Sequence, residues 1–317
     1  MQPPILYVVI PCYQEEEVLP ETIRRMGTLF DAMVENDQIA SQSRIVFVDD
    51  GSKDATWQLI DAAAKEDERF CGIKLARNVG HQNALLAGLM SVKDLCDCCI
   101  SVDADLQDDI SVMPRFLEEF AQGCDVVYGV RSSRDTDSGF KRCSAKAFYK
   151  LMQWLGADVV ENHADYRLLS RKALQALSEF SEVNLFLRGM VRLVGLKSGQ
   201  VYYKRAKRLA GKSKYPLRRM LSFAFDGITS FSIKPIRLVW GLGLLTCLMA
   251  VLAAVYAFMA HFLGSSVTGW TSLMISIWFL GGVQLVSVGV IGEYIGKIYK
   301  EVKRRPRYII EKTTQQK

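Results

Sequence analysis

The chain has 317 residues, half of them apolar, with 40 Lys and Arg against 34 Asp and Glu for a formal net charge of +6. That length allows one sizeable α/β domain and something extra. The positive excess gathers largely beside two apolar runs near the C-terminal end, which makes nucleic acid a poor explanation for it.

Residues 1–10 lack a basic n-region and are too short for a signal peptide, so none is expected. Five short apolar runs, 5–10, 45–48, 72–75, 98–102 and 126–129, are predicted as strands. They are continuous rather than alternating, which suits a parallel sheet covered on both faces. Between them, 16–30, 55–65, 83–92 and 111–122 predict helices. This βαβ rhythm implies a doubly wound, mostly parallel, Rossmann-like sheet whose ligands sit beyond the carboxyl ends of the strands. Eight cysteines in such a cytosolic domain argue for reduced thiols. Cys96, Cys98 and Cys99 lie close together without a second Cys/His pair at zinc-finger spacing, and they read as small hydrophobes of a buried strand.

Four predicted strands exit into polar clusters. The first leads to Pro11-Cys12-Tyr13-Gln14-Glu15 and the second to Asp49-Asp50-Gly51-Ser52-Lys53-Asp54. The fourth leads to Asp103-Ala104-Asp105-Leu106-Gln107-Asp108 and the fifth to Gly129-Val130-Arg131. Each alone is ordinary turn and cap chemistry; Asp54, for example, could simply cap the helix at 55. Several acidic exits on one sheet edge favour a site for a polyanion and a metal. Asp103 and Asp105 would point the same way if their segment is still extended. Mg2+ or Mn2+ is well served by one or two carboxylates, with substrate phosphates and water completing the octahedron. That arrangement suits a diphosphate leaving group.

Beyond Pro235 the character changes. Residues 238–263 contain no Asp, Glu, Lys or Arg, and a second uncharged run covers 270–291. The first would make a helix about 39 Å long, ample for a bilayer core of about 30 Å. A pair of buried core helices is the alternative, but core helices seldom run so long without a polar face. Trp240 and Trp270 suit the membrane interface, whereas Trp278 is too deep in its run. Lys234 and Arg237 precede the first run; Lys297, Lys300, Lys303, Arg304, Arg305 and Arg307 follow the second. Both flanks are therefore expected on the cytoplasmic side of a multi-pass inner (plasma) membrane protein, with the short linker 264–269 on the far side. The expected organisation is a catalytic domain at 1–215, an amphipathic juxtamembrane segment at 216–235, a two-helix hairpin at 236–292 and a basic tail at 293–317. The juxtamembrane segment would lie among membrane lipids.

With these motifs the sequence resembles the family 2 glycosyltransferases of the GT-A fold, and within them the polyprenyl-phosphate glycosyltransferases. The resemblance covers nearly the whole chain. Besides the strand exits it rests on Arg77-Asn78-Val79-Gly80, Ala164-Asp165-Tyr166-Arg167-Leu168-Leu169, Gly211-Lys212-Ser213-Lys214-Tyr215 and Gly292-Glu293-Tyr294-Ile295-Gly296. Gln14 stands where the family usually has Asn. The resemblance implies that Pro11, Tyr13, Glu15 and Asp50 line a base and ribose pocket. It implies that Asp103 and Asp105 hold Mg2+ or Mn2+ beside the nucleotide sugar, with Gln107 close by. It places Asp165 near the anomeric carbon, Arg167 in the acceptor site, and Arg131, Arg208, Ser213 and Lys214 near phosphates. It also implies a homo-oligomer, a tetramer in related enzymes.

The implied reaction is inverting transfer of a hexose from a UDP-sugar, UDP-glucose first, to undecaprenyl or another polyprenyl phosphate. The product would donate sugar for cell-envelope glycan modification. UDP-N-acetylhexosamine, UDP-galactose and an aminoarabinose donor are the alternatives. A phosphate acceptor has its second ionisation near pH 6, so it arrives largely deprotonated and needs a general base less than an alcohol does. A processive polysaccharide synthase is the first rival, but the chain has no Gln-x-x-Arg-Trp motif and two spans make a poor channel. A non-catalytic membrane scaffold is the second; the intact Asp103, Asp105 and Asp165 count against it.

Overall fold

The structure is a computed structural model, and it describes residues 2–131, 163–183, 185, 187–204, 234–262 and 269–314. These fall into two compact units, one built on a β-sheet and one on two long helices.

The sheet has eight strands in the order β7-β5-β6-β4-β1-β2-β3-β8. The five predicted strands form β1 (Leu6–Cys12), β2 (Arg44–Asp49), β3 (Phe70–Leu75), β4 (Cys98–Ser101) and β5 (Val126–Arg131). β1 is buried along its whole length and pairs in parallel with β2 and β4, as its unbroken apolar run requires. The four predicted helices form α1 (Leu19–Glu35), α2 (Thr56–Glu66), α3 (His81–Val92) and α4 (Met113–Ala121). α3 packs on β1 and β2 at Gly88, where a Cβ would stand 2.4 Å from Val9 Cγ1 and 2.8 Å from Val48 Cγ2. The core gathers Ile10, Met26, Phe30, Phe47 and Phe116, with the Phe116 and Tyr166 rings 4.7 Å apart.

Three strands and two helices go beyond the sequence reading. β6 (His163–Ser170) inserts antiparallel between β4 and β5, and β7 (Ser198–Tyr203) runs parallel to β5. β8 (Ile310–Thr313) pairs antiparallel with β3, so part of the expected basic tail is a strand of the sheet. Thr314 adds two hydrogen bonds to the Gly72 backbone, one through its side chain: Gly72 N donates to Thr314 Oγ1 at 2.7 Å, and Thr314 N to Gly72 O at 2.9 Å. α5 (Arg171–Ser178) begins at Ser170, whose hydroxyl accepts from Ala173 N as an N-cap, and α6 (Leu187–Leu193) follows.

The second unit contains α7 (Lys234–Phe262) and α8 (Trp270–Lys303). At 1.5 Å per residue they are about 44 and 51 Å long, enough to cross a bilayer core. Leu244, Leu248 and Leu252 on α7, and Leu285 and Val288 on α8, are each more than half exposed. That exposure rules out the reading of two buried core helices. The expected interfacial segment, the basic stretch from 205 and most of the linker lie outside the described residues.

Candidate active site

The polar clusters converge on the carboxyl edge of the parallel strands because each follows the end of its strand. The loops leaving β1 and β2 are stitched together. Gln14 N donates to Ser52 Oγ at 3.0 Å, Glu15 N to Thr56 Oγ1 at 3.0 Å, and Ala55 N to Glu16 Oε2 at 3.0 Å. Pro11 lies buried on β1, Tyr13 is exposed and Glu15 half-buried. Gln14 has φ 55°, in the left-handed region that Asn tolerates better than Gln. The family's usual Asn at this position thus has a backbone reason. Asp54 behaves as a cap: its Oδ1 accepts from Thr56 N at 3.1 Å in the first turn of α2.

Asp50 is buried, and both of its oxygens accept backbone hydrogen bonds, from Val79 N at 2.7 Å and Gly80 N at 2.9 Å. It therefore clamps the turn before α3. Gly51 makes room for that approach, since a Cβ there would stand 2.6 Å from the Arg77 carbonyl carbon, and its φ is 68°. The preceding Asp49 accepts from Ser52 N through Oδ1, while its buried Oδ2 has no hydrogen-bond partner among the described residues.

β4 ends at Ser101, and the chain turns at 104–105, so Asp105 stands on that turn and Asp103 just before it. Asp105 Oδ1 accepts from Gln107 N at 3.1 Å, and Leu106 is held at φ 53°, a conformation costing a non-glycine residue about 1–2 kcal/mol. Leu106 and Gln107 are buried, which fixes the turn from within. The Asp103 side chain is 35% exposed, yet its Oδ1 is buried without a hydrogen bond among the described residues. Burial lifts its pKa to about 6; Asp165, Asp108 and Asp105 add to the rise and His81 opposes it.

β6 brings Asp165 and Arg167 to this edge because it is antiparallel: Arg167 is in register with Ser101 on β4. Alternation puts Asp165 and Arg167 on one face and Tyr166 and Leu168 on the core face. Arg167 is 1% exposed and donates to Asp165 through Nη2. Arg188 on α6 donates to the same carboxylate from Nε at 3.2 Å and Nη2 at 3.1 Å. His81, the first residue of α3, places Nε2 3.5 Å from Asp103 Oδ1 and 3.6 Å from Asp165 Oδ2. Burial pushes the Asp165 pKa up, but His81, Arg167 and Arg188 together hold it well below the ordinary carboxylate range. Burial opposes charge on His81, and the hydrogen bond to Asp165 with the charges of Asp103 and Asp165 outweighs it, raising its pKa.

Arg131 ends β5 half-buried, donating from Nη2 to Asp108 Oδ1 at 3.2 Å and from Nε to Tyr203 Oη at 3.3 Å. Tyr203 in turn donates to Asp108 Oδ1 at 2.6 Å. Arg208, Ser213 and Lys214 lie outside the described residues.

The edge thus unites Asp103, Asp105, Asp165 and Arg167, and adds His81 and Arg188, which the sequence reading missed. His81 directly follows the Arg77–Gly80 motif and could have been found from it; Arg188 sits in an apolar helix with no such signal. The carboxylates fit a divalent cation, as the buried Asp103 oxygen, which accepts no hydrogen bond among the described residues and faces only the His81 imidazole, indicates. Among the described residues no group of three or more His, Cys, Asp or Glu side chains could hold one unaided, so phosphate oxygens and water would complete the shell.

Residues 7–178 match the family described as Glycosyl transferase family 2, and residues 234–298 match the GtrB C-terminal hairpin. An uncharacterized glycosyltransferase of Bacillus subtilis, YkoT, is 53% identical over 97% of this chain and 91% of its own. The SfII prophage-derived bactoprenol glucosyl transferase of Shigella flexneri is 40% identical over 96% of this chain and 97% of its own. A prophage bactoprenol glucosyl transferase homolog of Escherichia coli is 39% identical over 96% of this chain and 98% of its own. With the α/β sheet, its acidic carboxyl edge and these matches, the chain belongs to glycosyl transferase family 2 and is a GT-A glycosyltransferase.

Proposed function

We propose that the enzyme transfers a hexose, glucose first, from a UDP-sugar to undecaprenyl or another polyprenyl phosphate, with inversion at the anomeric carbon. The observation that carries this reading is the state of Asp165. A carboxylate paired with two guanidinium groups and an imidazole is a weak base. That suits an acceptor already ionised at neutral pH, as a lipid phosphate is, and serves an alcohol poorly. The relatives named bactoprenol glucosyl transferase match along the whole chain, hairpin included, which supports the same acceptor.

In this reading Pro11, Tyr13 and Glu15 line the base and ribose pocket, and Asp50 holds its floor through the turn at 79–80. Asp103 and Asp105, with Gln107 behind them, bind Mg2+ or Mn2+, which when bound neutralises charge on the departing diphosphate. Asp165 orients the sugar and balances Arg167 and Arg188. Arg131, Arg208, Ser213 and Lys214 offset the repulsion between donor and acceptor phosphates. The domain is 1–215, completed by β8 from the tail, with a juxtamembrane segment at 216–235, the hairpin at 236–292 and the tail from 293. Catalytic domain and tail share the cytoplasmic side, and the protein assembles as a homo-oligomer.

The test is full-length enzyme in detergent with undecaprenyl phosphate, Mg2+ or Mn2+, and a panel of labelled UDP-sugars. Expected is a lipid-phosphate hexose, β-linked by NMR and formed fastest from UDP-glucose. Transfer to an alcohol but to no lipid phosphate would refute the acceptor. Faster transfer of N-acetylhexosamine, galactose or aminoarabinose would replace the sugar.

A further inference from the structure

Charge is unevenly matched around Asp165. One carboxylate faces two guanidinium groups, and they are not equivalent. Arg167 is 1% exposed, and its Nη1 also donates to Leu187 O at 3.5 Å. It is a sealed partner of Asp165. Arg188 keeps one third of its side chain exposed while forking onto the same carboxylate. Its backbone is held firmly, because Leu187 N donates to Gln82 Oε1 at 3.2 Å on α3 and Leu187 O accepts from Arg167. Helix α6 is thus tied to both α3 and β6 at the residue before Arg188. A solvent-reachable guanidinium fixed from behind, beside a carboxylate already neutralised by a buried arginine, is surplus positive charge at the reacting edge.

We propose that Arg188 binds a substrate phosphate, and that this phosphate belongs to the lipid acceptor. The inference rests on the reading of the acceptor given above. A guanidinium suits the task because its planar fork offers paired donors to phosphate oxygens. The assignment to the acceptor follows from order along the edge. His81 stands between Asp103 and Asp165, 3.5 and 3.6 Å from them, and Arg188 lies on the Asp165 side. Among the described residues Arg188 pairs with Asp165 and with neither Asp103 nor Asp105, the carboxylates that would hold the donor diphosphate, although the Asp103 charge also reaches it. The anion nearest Arg188 is a second one. Arg188 would also turn Asp165 into an orienting brace, since the same side chain touches the carboxylate and the attacking phosphate.

The experiment uses full-length enzyme in detergent and two variants, Arg188→Gln and Arg188→Lys, each checked for its melting temperature. Initial rates are measured with undecaprenyl phosphate varied at saturating UDP-glucose, then the reverse. Arg188→Gln is expected to raise the KM for lipid phosphate at least tenfold and leave the UDP-glucose KM within twofold. Arg188→Lys should recover part of the loss, since it keeps the charge and loses the fork. A fall in kcat with both KM values unchanged would reduce Arg188 to a structural brace and overturn the proposal. A rise confined to the UDP-glucose KM would overturn it too, by assigning the phosphate to the donor. Calorimetry with farnesyl phosphate supplies an arm independent of turnover: the wild-type chain should bind it at least tenfold more tightly than Arg188→Gln. Equal affinity, or no binding by the wild type, also overturns the proposal. If the wild type transfers no sugar to lipid phosphate, the acceptor reading fails, and the calorimetric difference still decides whether Arg188 holds a phosphate.

Discussion

Asp165 accepts from Arg167 and Arg188 and stands 3.6 Å from His81, so its charge is held among three basic groups. Removing one charge from a buried pair leaves the others uncompensated, at a cost of about 3–5 kcal/mol. Asp165→Asn keeps the shape and one acceptor oxygen, so we expect the chain to fold, with a lower melting temperature and turnover cut by about 10²-fold or more. Near-normal turnover would remove Asp165 from the site. The pH dependence has a definite sign. A depressed folded-state pKa contributes stability that is present above the ordinary carboxylate pKa and lost as pH falls through the depressed value. The wild type's melting advantage over Asp165→Asn should therefore be full at pH 7 and shrink as the pH is taken below about 4. A constant gap across that range would contradict the assignment. Gln14 offers a gentler test. At φ 55° Asn is the better fit, and Gln14→Asn should raise stability by about 0.5 kcal/mol without touching the loop hydrogen bonds, which are made by the backbone.

The elements differ in how much of themselves they write into sequence. β1 to β5 are buried apolar runs, and the helices between them follow from periodicity. β6 was recognised only as a motif, because Asp165 and Arg167 lie on it within the sheet and break any hydropathy pattern. β8 is exposed at all four positions and pairs with a strand more than 230 residues away, so no local signal marks it. The acidic clusters were legible for the same reason β1 to β5 were: a strand end fixes where the next few residues stand. His81 and Arg188 were not, because their meaning lies in contacts made across the fold. Gly51 joins these levels, since its missing side chain lets the β2 exit approach residues 77 and 78 and lets Asp50 reach the turn before α3. Gly51→Ala combines backbone strain of about 1–2 kcal/mol with a contact that cannot be relieved by a side chain moving. It should lower the melting temperature and, by displacing His81, lower kcat. A variant with wild-type stability and rate would show that the close approach is dispensable.

At the scale of the whole chain, β8 constrains the path through the membrane. β1 to β7 precede the two long helices and β8 follows them, yet β8 is hydrogen-bonded into the same sheet at β3. A sheet cannot be shared across a bilayer, because its strands hydrogen-bond directly to one another. The number of crossings between β7 and β8 must therefore be even. Two helices of spanning length, with apolar surface exposed along both, make two the natural count. By the positive-inside rule the basic residues after α8, from Arg304 to Arg307, predict that the shared side is the cytoplasmic one. The prediction is read with single cysteines placed at Ser266 in the linker and at Gln316 beyond β8. In intact cells a membrane-impermeant maleimide should label Ser266→Cys, while Gln316→Cys should react only after permeabilisation. The native cysteines Cys12, Cys71, Cys96, Cys98, Cys99 and Cys124 are buried, so they contribute little background, and the remaining two, Cys143 and Cys247, are replaced by Ser in every variant. Labelling of both positions from the same side would mean that the helices do not cross. Labelling of Gln316→Cys alone in intact cells would invert the orientation and move the catalytic edge away from cytoplasmic nucleotide sugars.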